Sequence, residues 1–208
     1  MKDIKKHRGL FIVFEGVDGC GKTTQAARFA DWLEETIGKK VIRTAEPFTF
    51  RELILGRKDL SSMSELLLFL ADRAEHVNKI ILPAIDAGIN VVCERYNDST
   101  LAYQVGGHGV EVSKVKNLID SCNFPNPDAK VFLDLSPKTA FDRVKERNKL
   151  KKIKTEDKFE AEGFNLLKKV SDFYRTLQDL IRIPCDDLDE DEIFQHILVG
   201  VLGNGAYL

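Results

Sequence analysis

The stretch FEGVDGCGKTTQ, residues 14–25, sets Gly16, Gly19 and Gly21 around Asp18 and follows them at once with Lys22, Thr23 and Thr24. Before it runs LFIVF (10–14), apolar and partly β-branched, with the character of a buried strand. After it, Ala26, Ala30, Leu33 and Ile37 recur at helical spacing, and Gly38 is a natural stop. Strand, glycine-rich turn and helix in this order form a phosphate-binding layout. Residues 16–23, GVDGCGKT, satisfy G-x-x-x-x-G-K-[ST] in full. The competing interpretation is a tight turn that happens to carry a lysine, and the strand and helix on either side argue against it. Gly16, Val17, Asp18, Gly19, Cys20, Gly21, Lys22, Thr23 and Thr24 are thus candidate nucleotide contacts. The glycines let backbone N–H groups turn inward, Lys22 neutralises β and γ phosphates, and Thr23 offers a hydroxyl to Mg²⁺.

Working outward, apolar β-rich runs recur at 40–44 (KVIRT), 89–93 (INVVC), 130–135 (KVFLDL) and 181–185 (IRIPC). Helical periodicity lies between them. A long helix carries LLLFLADRAEHVNKII, with Ser62 and Glu65 as a capping box, and further helices fall near 111–121, 137–148, 160–180 and 189–201. This alternation predicts an α/β fold, a mostly parallel five-stranded sheet with helices on both faces, whose ligands gather at the carboxyl ends of the strands. A length of 208 residues suits one domain and would cramp two.

Composition narrows the function classes. With 43% hydrophobic and 31% charged residues the chain has the make-up of an ordinary globular protein. A formal net charge of −2 argues against a broad grip on nucleic acid. LLLFLA (66–71) falls far short of the roughly 20 residues of a membrane span, and MKDIKKHRGL lacks the apolar core of a signal peptide. A cytoplasmic protein with no membrane partner is expected. Cys20, Cys93, Cys122 and Cys185 are scattered, as are His7, His76, His108 and His196, which points to reduced thiols and away from a His/Cys metal cage. The one compositional shift is RVKERNKLKKIKTEDK (143–158), with eight basic residues against three acidic ones.

GTPase switches, ATPase motors and small-molecule kinases share the phosphate loop. Guanine recognition by N-K-x-D fails at both N-K pairs, NKII at 78 and NKLK at 148, so the kinase reading gains. It requires an acceptor site built from the other strand ends. ERYNDSTLAYQ (94–104) follows INVVC: Glu94 can hold the water shell of Mg²⁺ and Arg95 can clamp phosphate oxygens, the alternative being a surface ion pair. TAEP (44–47) leaves Glu46 near the same edge, as a site acid or a solvated loop acid. Phe69 and Arg73 share a helix face. They are either an ordinary core residue and a solvent residue, or a pair that stacks on a base and bonds its carbonyl edge.

Taken together, FEGVDGCGKTTQ, AEP, LLLFLADRAEH, ERY, DSTLAYQ, VFLDLSP and the basic segment leading to KFEAEGF resemble the thymidylate (dTMP) kinase family, in order and over about residues 10–200. The resemblance implies a P-loop kinase that moves the γ-phosphoryl of Mg-ATP to dTMP, giving dTDP and ADP, commonly as a homodimer. It implies that Asp18 holds the acceptor sugar or phosphate region, that Phe69 stacks on thymine and that Arg73 bonds its exocyclic oxygen. Arg95 becomes the phosphate clamp, Thr100 and Gln104 line the base side, Tyr103 crowds the sugar 2′ position, and Arg143 packs against adenine. The basic segment becomes a lid over ATP. Because the loop VDGC carries no arginine, the lid must supply the catalytic cation, with Arg147 first and Lys149, Lys151, Lys152 and Lys158 behind it.

Three departures stand out: Ala45 where the family usually has arginine, Phe48 where it has glycine, which would narrow the pocket, and Glu94 where it has aspartate. The implied mechanism is in-line transfer resting on Lys22, Arg95, Asp18, Arg147 and Mg²⁺ held at Thr23 and Glu94. Three competitors remain open: a deoxynucleoside kinase with Glu46 as base, a kinase for another deoxynucleotide, and a nucleotide-binding regulatory module without turnover.

Overall fold

The computed structural model describes residues 8–150 and 158–203. Strand β1 (Phe11–Glu15) is wholly buried. It runs parallel to β3 (Asn90–Glu94) on one side and β4 (Ala129–Asp134) on the other, with β2 (Val41–Ala45) beyond β3 and β5 (Ile181–Pro184) beyond β4. A central parallel strand covered on both faces calls for a continuous apolar run, and Phe11 to Phe14 supply it up to the buried Glu15. The edge strand β5 shows the alternation of a half-covered one, buried at Ile181 and Ile183 and exposed between them.

Side chains of β1 leave alternately for the two faces. Ile12 and Phe14 join Phe29, Ala30 and Leu33 of α1 (Lys22–Ile37) in the larger core. Phe11 and Val13 join Val77, Ile81, Val91 and Cys93 in the smaller one on the opposite face. The helical face read from Ala26, Ala30 and Leu33 is buried, and Gly38 ends α1 in the left-handed region, its N–H donating to the Glu34 carbonyl.

The remaining helices are α2 (Arg51–Gly56), α3 (Ser62–His76), α4 (Leu82–Asp86), α5 (Asn97–Thr100), α6 (Val112–Ser121), α7 (Pro137–Leu150), α8 (Lys158–Tyr174) and α9 (Glu190–Gly203). π-helical turns at Val77–Ile81 and Leu101–Gly107 follow α3 and α5. The structure corrects several expectations. The cap of α3 is Ser61, whose hydroxyl accepts from the Ser64 N–H, so Ser62 and Glu65 do not form the capping box. Helix α8 ends at Tyr174 and is broken at Gly163, where φ is 76°. Helices α2 and α5 and the turn after α5 had no counterpart in the sequence reading.

Register brings the site together. Phe14 pairs with Glu94 and Glu94 with Ala45, so the phosphate loop, Arg95 and Glu46 all leave the sheet at one level. Among the described residues, no helix is long and apolar enough to cross a membrane.

Candidate active site

The phosphate loop opens directly from β1. Gly19 has φ 87° and Gly21 has φ 97°, values that L side chains rarely adopt. A Cβ at Gly19 would lie 2.3 Å from the Ala140 carbonyl oxygen, so the loop rests directly on the first turns of α7. Lys22 is buried, and its ammonium donates to the carbonyls of Gly16 (2.9 Å) and Val17 (2.8 Å). A phosphate offers it a charged acceptor and a stronger bond. Thr23 Oγ1 donates to Glu94 Oε2 at 2.7 Å. Two hard oxygen donors side by side at the mouth of an anion-binding loop are a donor set that suits Mg²⁺.

Arg95 lies at φ 68°, a left-handed conformation that a non-glycine residue adopts only when its surroundings enforce it. Its N–H donates to the Phe14 carbonyl, and its guanidinium donates to Asp18 Oδ1 at 2.6 Å and lies 5.1 Å from the Tyr103 ring centroid. Burial pushes the Asp18 carboxyl toward its neutral form, but Arg95 and Lys22 together outweigh this and hold its pKa well below the ordinary carboxylate range. Asp18 is therefore an anion that orients two cations.

Beneath this pair lies Glu15, fully buried at the end of β1. Its Oε1 accepts from the backbone N–H groups of Tyr96 (2.8 Å) and Ser99 (3.3 Å), and its Oε2 from the hydroxyls of Ser99 (2.5 Å) and Tyr174 (2.9 Å). These bonds clamp the chain on the far side of Arg95. Burial, with the Asp98 charge added, raises the Glu15 pKa despite the hydroxyl donors. The sequence reading missed Glu15; an acid that ends the apolar run LFIVF is the signal that could have found it.

Two cavities meet at Asp18 and Arg95. The first is lined by Glu46, Pro47, Arg51, Leu55, Phe69, Arg73, Ser99, Thr100, Tyr103, Gln104 and Phe159 as well as that pair. The second, a larger cleft over the phosphate loop, is lined by Gly19, Gly21, Lys22, Thr23, Thr24, Glu94, Arg143, Arg147 and Glu160 among others. Of the candidate residues, Gly16, Val17 and Cys20 belong to the loop's buried underside. Ala45, Glu46 and Arg51 border the cleft as well, so Arg51 touches both cavities and is a residue the sequence reading passed over.

Neither plain alternative for Arg73 and Glu46 holds, since both are buried. Arg73 Nε donates to Glu46 Oε2 at 2.8 Å, Nη1 to Asn97 Oδ1 (3.1 Å) and Thr100 Oγ1 (2.9 Å), and Nη2 to the Tyr96 carbonyl (2.9 Å), while Nη2 and Glu46 Oε2 form a close ion pair at 2.6 Å. Four of the five guanidinium hydrogens thus have protein hydrogen-bond acceptors, so the protein itself engages most of the Arg73 fork. The other Glu46 oxygen lies 3.0 Å from His76 Nδ1. A carboxylate engaged on both oxygens is poorly placed to act as a general base, which removes the physical support for the nucleoside kinase reading. Phe48 does not narrow the cavity: its ring stacks on His76 at 4.7 Å, and its N–H donates to Asp72.

On the lid side, Arg143 and Arg147 project from α7, and Arg147 donates to Glu160 Oε1 at 2.6 Å. Lys149 is exposed at the end of α7. Lys151, Lys152 and the side chain of Lys158 lie outside the described residues. Phe159, at the start of α8, fits between the rings of Phe69 (6.1 Å) and Tyr103 (5.1 Å).

Comparison with known proteins shows which family the chain is similar to. The thymidylate kinase family model matches residues 14–183. The thymidylate kinase of Maridesulfovibrio salexigens is 36% identical over 207 residues, covering 93% of this chain and 95% of that protein. That of Prochlorococcus marinus strain AS9601 is 39% identical over 184 residues, 82% of this chain and 84% of its own. The crystal structure of thymidylate kinase from Ehrlichia chaffeensis superposes with a TM-score of 0.59 at 38% identity, covering 70% of this chain and 88% of that one.

Proposed function

We propose that this chain, which belongs to the thymidylate kinase family, transfers the γ-phosphoryl group of ATP to the 5′-phosphate of dTMP, giving dTDP and ADP. The observation that carries the reading is the junction of two cavities at Asp18 and Arg95, one over the phosphate loop and one walled by Phe69, Thr100 and Gln104. A donor and an acceptor bound in these cavities would meet at the guanidinium of Arg95.

The chemistry is the approach of two polyanions, so positioning and charge neutralisation do most of the work. Lys22 releases the loop carbonyls and takes the β and γ phosphates. Arg95, oriented by Asp18, clamps the acceptor phosphate, and Arg51 adds a second guanidinium where Ala45 offers none. The acceptor oxygen is already ionised, so no general base is needed. Phe69 stacks on the base, Thr100 and Gln104 face its edge, and Tyr103 closes the sugar side. Arg143 packs on adenine, and Arg147 exchanges Glu160 for the transferring group. Thr23 and Glu94 would hold Mg²⁺, which when bound offsets phosphate charge and aligns the oxygens of the donor.

Phosphorylation of dTMP, dUMP, dCMP, dGMP and thymidine by Mg-ATP tests the reading, with Lys22→Ala as control. Preference for dTMP that vanishes in the variant is expected. Preference for thymidine, or nucleotide binding without any transfer, would overturn it. The reading includes a cytoplasmic homodimer, checked by sedimentation at micromolar concentration.

A further inference from the structure

Among the residues that line the acceptor cavity, Gln104 has a polar atom without a hydrogen-bond partner among the described residues: its Oε1, in a side chain that is 0% exposed. A buried unpaired carbonyl is costly and calls for an explanation.

The amide is not free to turn. Gln104 Nε2 donates to Glu65 Oε1 at 2.8 Å, and Glu65 is itself 0% exposed, on the first turn of α3. A carboxylate accepts and does not donate. Turning the amide over would therefore press two acceptor oxygens together at that distance. Glu65 thus fixes the NH₂ toward α3 and leaves the carbonyl oxygen as what Gln104 offers to the cavity. His108 Nδ1 lies 3.0 Å from the same Glu65 oxygen without a hydrogen bond, and its Nε2 is 3.1 Å from Glu162 Oε2. Neighbouring Thr100 accepts from Arg73 on its Oγ1, which leaves its own hydrogen to donate. The wall presents a hydroxyl donor beside a fixed acceptor.

A pyrimidine-2,4-dione matches this wall, with an exocyclic oxygen beside a ring N–H. A 4-aminopyrimidine reverses both groups. The hydroxyl can rotate to suit either base, but the amide held by Glu65 cannot. Resting on the acceptor reading above, we propose that Glu65 is a specificity-determining positioning residue: through Gln104 it selects nucleotides whose ring nitrogen carries a hydrogen, the dione class, over 4-amino pyrimidines.

The test measures binding of dTMP and dCMP by calorimetry in the full-length protein, with thermal melting and the KM for ATP as controls. Glu65→Gln keeps shape but allows either amide orientation. The dTMP-over-dCMP preference is expected to fall roughly tenfold or more, with the KM for ATP unchanged. In Gln104→Met the preference falls likewise, and adding Glu65→Gln to it produces no further drop. An unchanged preference in Glu65→Gln, or full additivity of the two substitutions, overturns the proposal. Wild-type protein gives an independent reading: N3-methyl-dTMP should bind roughly tenfold or more weakly than dTMP, and equal binding sinks the idea whether or not the variants fold. Failure of the wild type to bind dTMP at all would instead overturn the kinase reading, and this inference with it.

Discussion

Arg95 shows how much chemistry one residue can concentrate. Its backbone is in a conformation that favours glycine, and its side chain bonds the acid of the phosphate loop. Lysine at this position keeps a charge but loses the planar fork that reaches Asp18 and a phosphate together. Arg95→Lys is expected to lower kcat about 10²–10³-fold while the thermal midpoint changes little, measured by steady-state kinetics and calorimetry. Asp18 and Glu15 then make opposite predictions about pH. The folded-state pKa of Asp18 lies below its ordinary 3.8, so its stabilising contribution is fully present above that value and is lost as pH falls through the folded pKa. The folded-state pKa of Glu15 lies above its ordinary 4.5, so its contribution is greatest below 4.5 and declines as pH rises through the folded pKa. Urea unfolding across pH should show Asp18→Asn losing ground against wild type as pH rises toward 3.8, with the gap constant above it. Glu15→Gln should gain ground as pH rises above 4.5. The same slope for both variants would contradict the assignments. Arg95 was legible from its place after a strand and Asp18 from the family resemblance, whereas the role of Glu15 was not, because its partners Ser99 and Tyr174 are remote in sequence.

At the scale of elements, the phosphate loop and α7 act as one unit because they touch at Gly19. Gly19→Ala introduces both a strained φ and a clash with the Ala140 carbonyl. It should cost about 1–3 kcal/mol of stability and weaken ATP binding, measured by urea unfolding and calorimetry; wild-type behaviour in both would show that the contact gives way. The first helix was readable because its apolar residues follow a 3.6-residue period. The segment NDSTLAYQVGG was not, because a short α5 followed by a π-helical turn has no such period. Yet that segment carries Thr100, Tyr103 and Gln104. The cap of α3 was misplaced by one residue for a related reason: in SSMSE, adjacent serines offer the same pattern, and only the bond from the Ser64 N–H selects Ser61.

For the whole molecule, the strand order β2-β3-β1-β4-β5 puts β1 at the centre, so that its loop is flanked by the ends of two other strands. Two ligands in adjoining cavities would each stabilise the folded state by mass action. At about a hundred times its Kd, each of ADP and dTMP should add about 2.7 kcal/mol, or a rise of about 5–10 °C in Tm for a chain of this size. Differential scanning calorimetry with each ligand singly and together checks this. No shift with dTMP would contradict the acceptor assignment, and a joint shift larger than the sum would reveal coupling through Asp18 and Arg95.

By itself the sequence determined the parallel α/β layout, the phosphate loop and the strand-end residues Glu94 and Arg95, because these rest on local periodicity and on residues close together in the chain. Only the tertiary structure decided what surrounds them. It turned Glu46 from a loop acid into the buried partner of Arg73 and His76, moved Phe48 off the cavity onto His76, and set Glu65 behind Gln104. Buried polar groups must find partners wherever the fold brings them, and those partners lie on elements whose proximity is set by strand order and helix packing, not by distance along the chain.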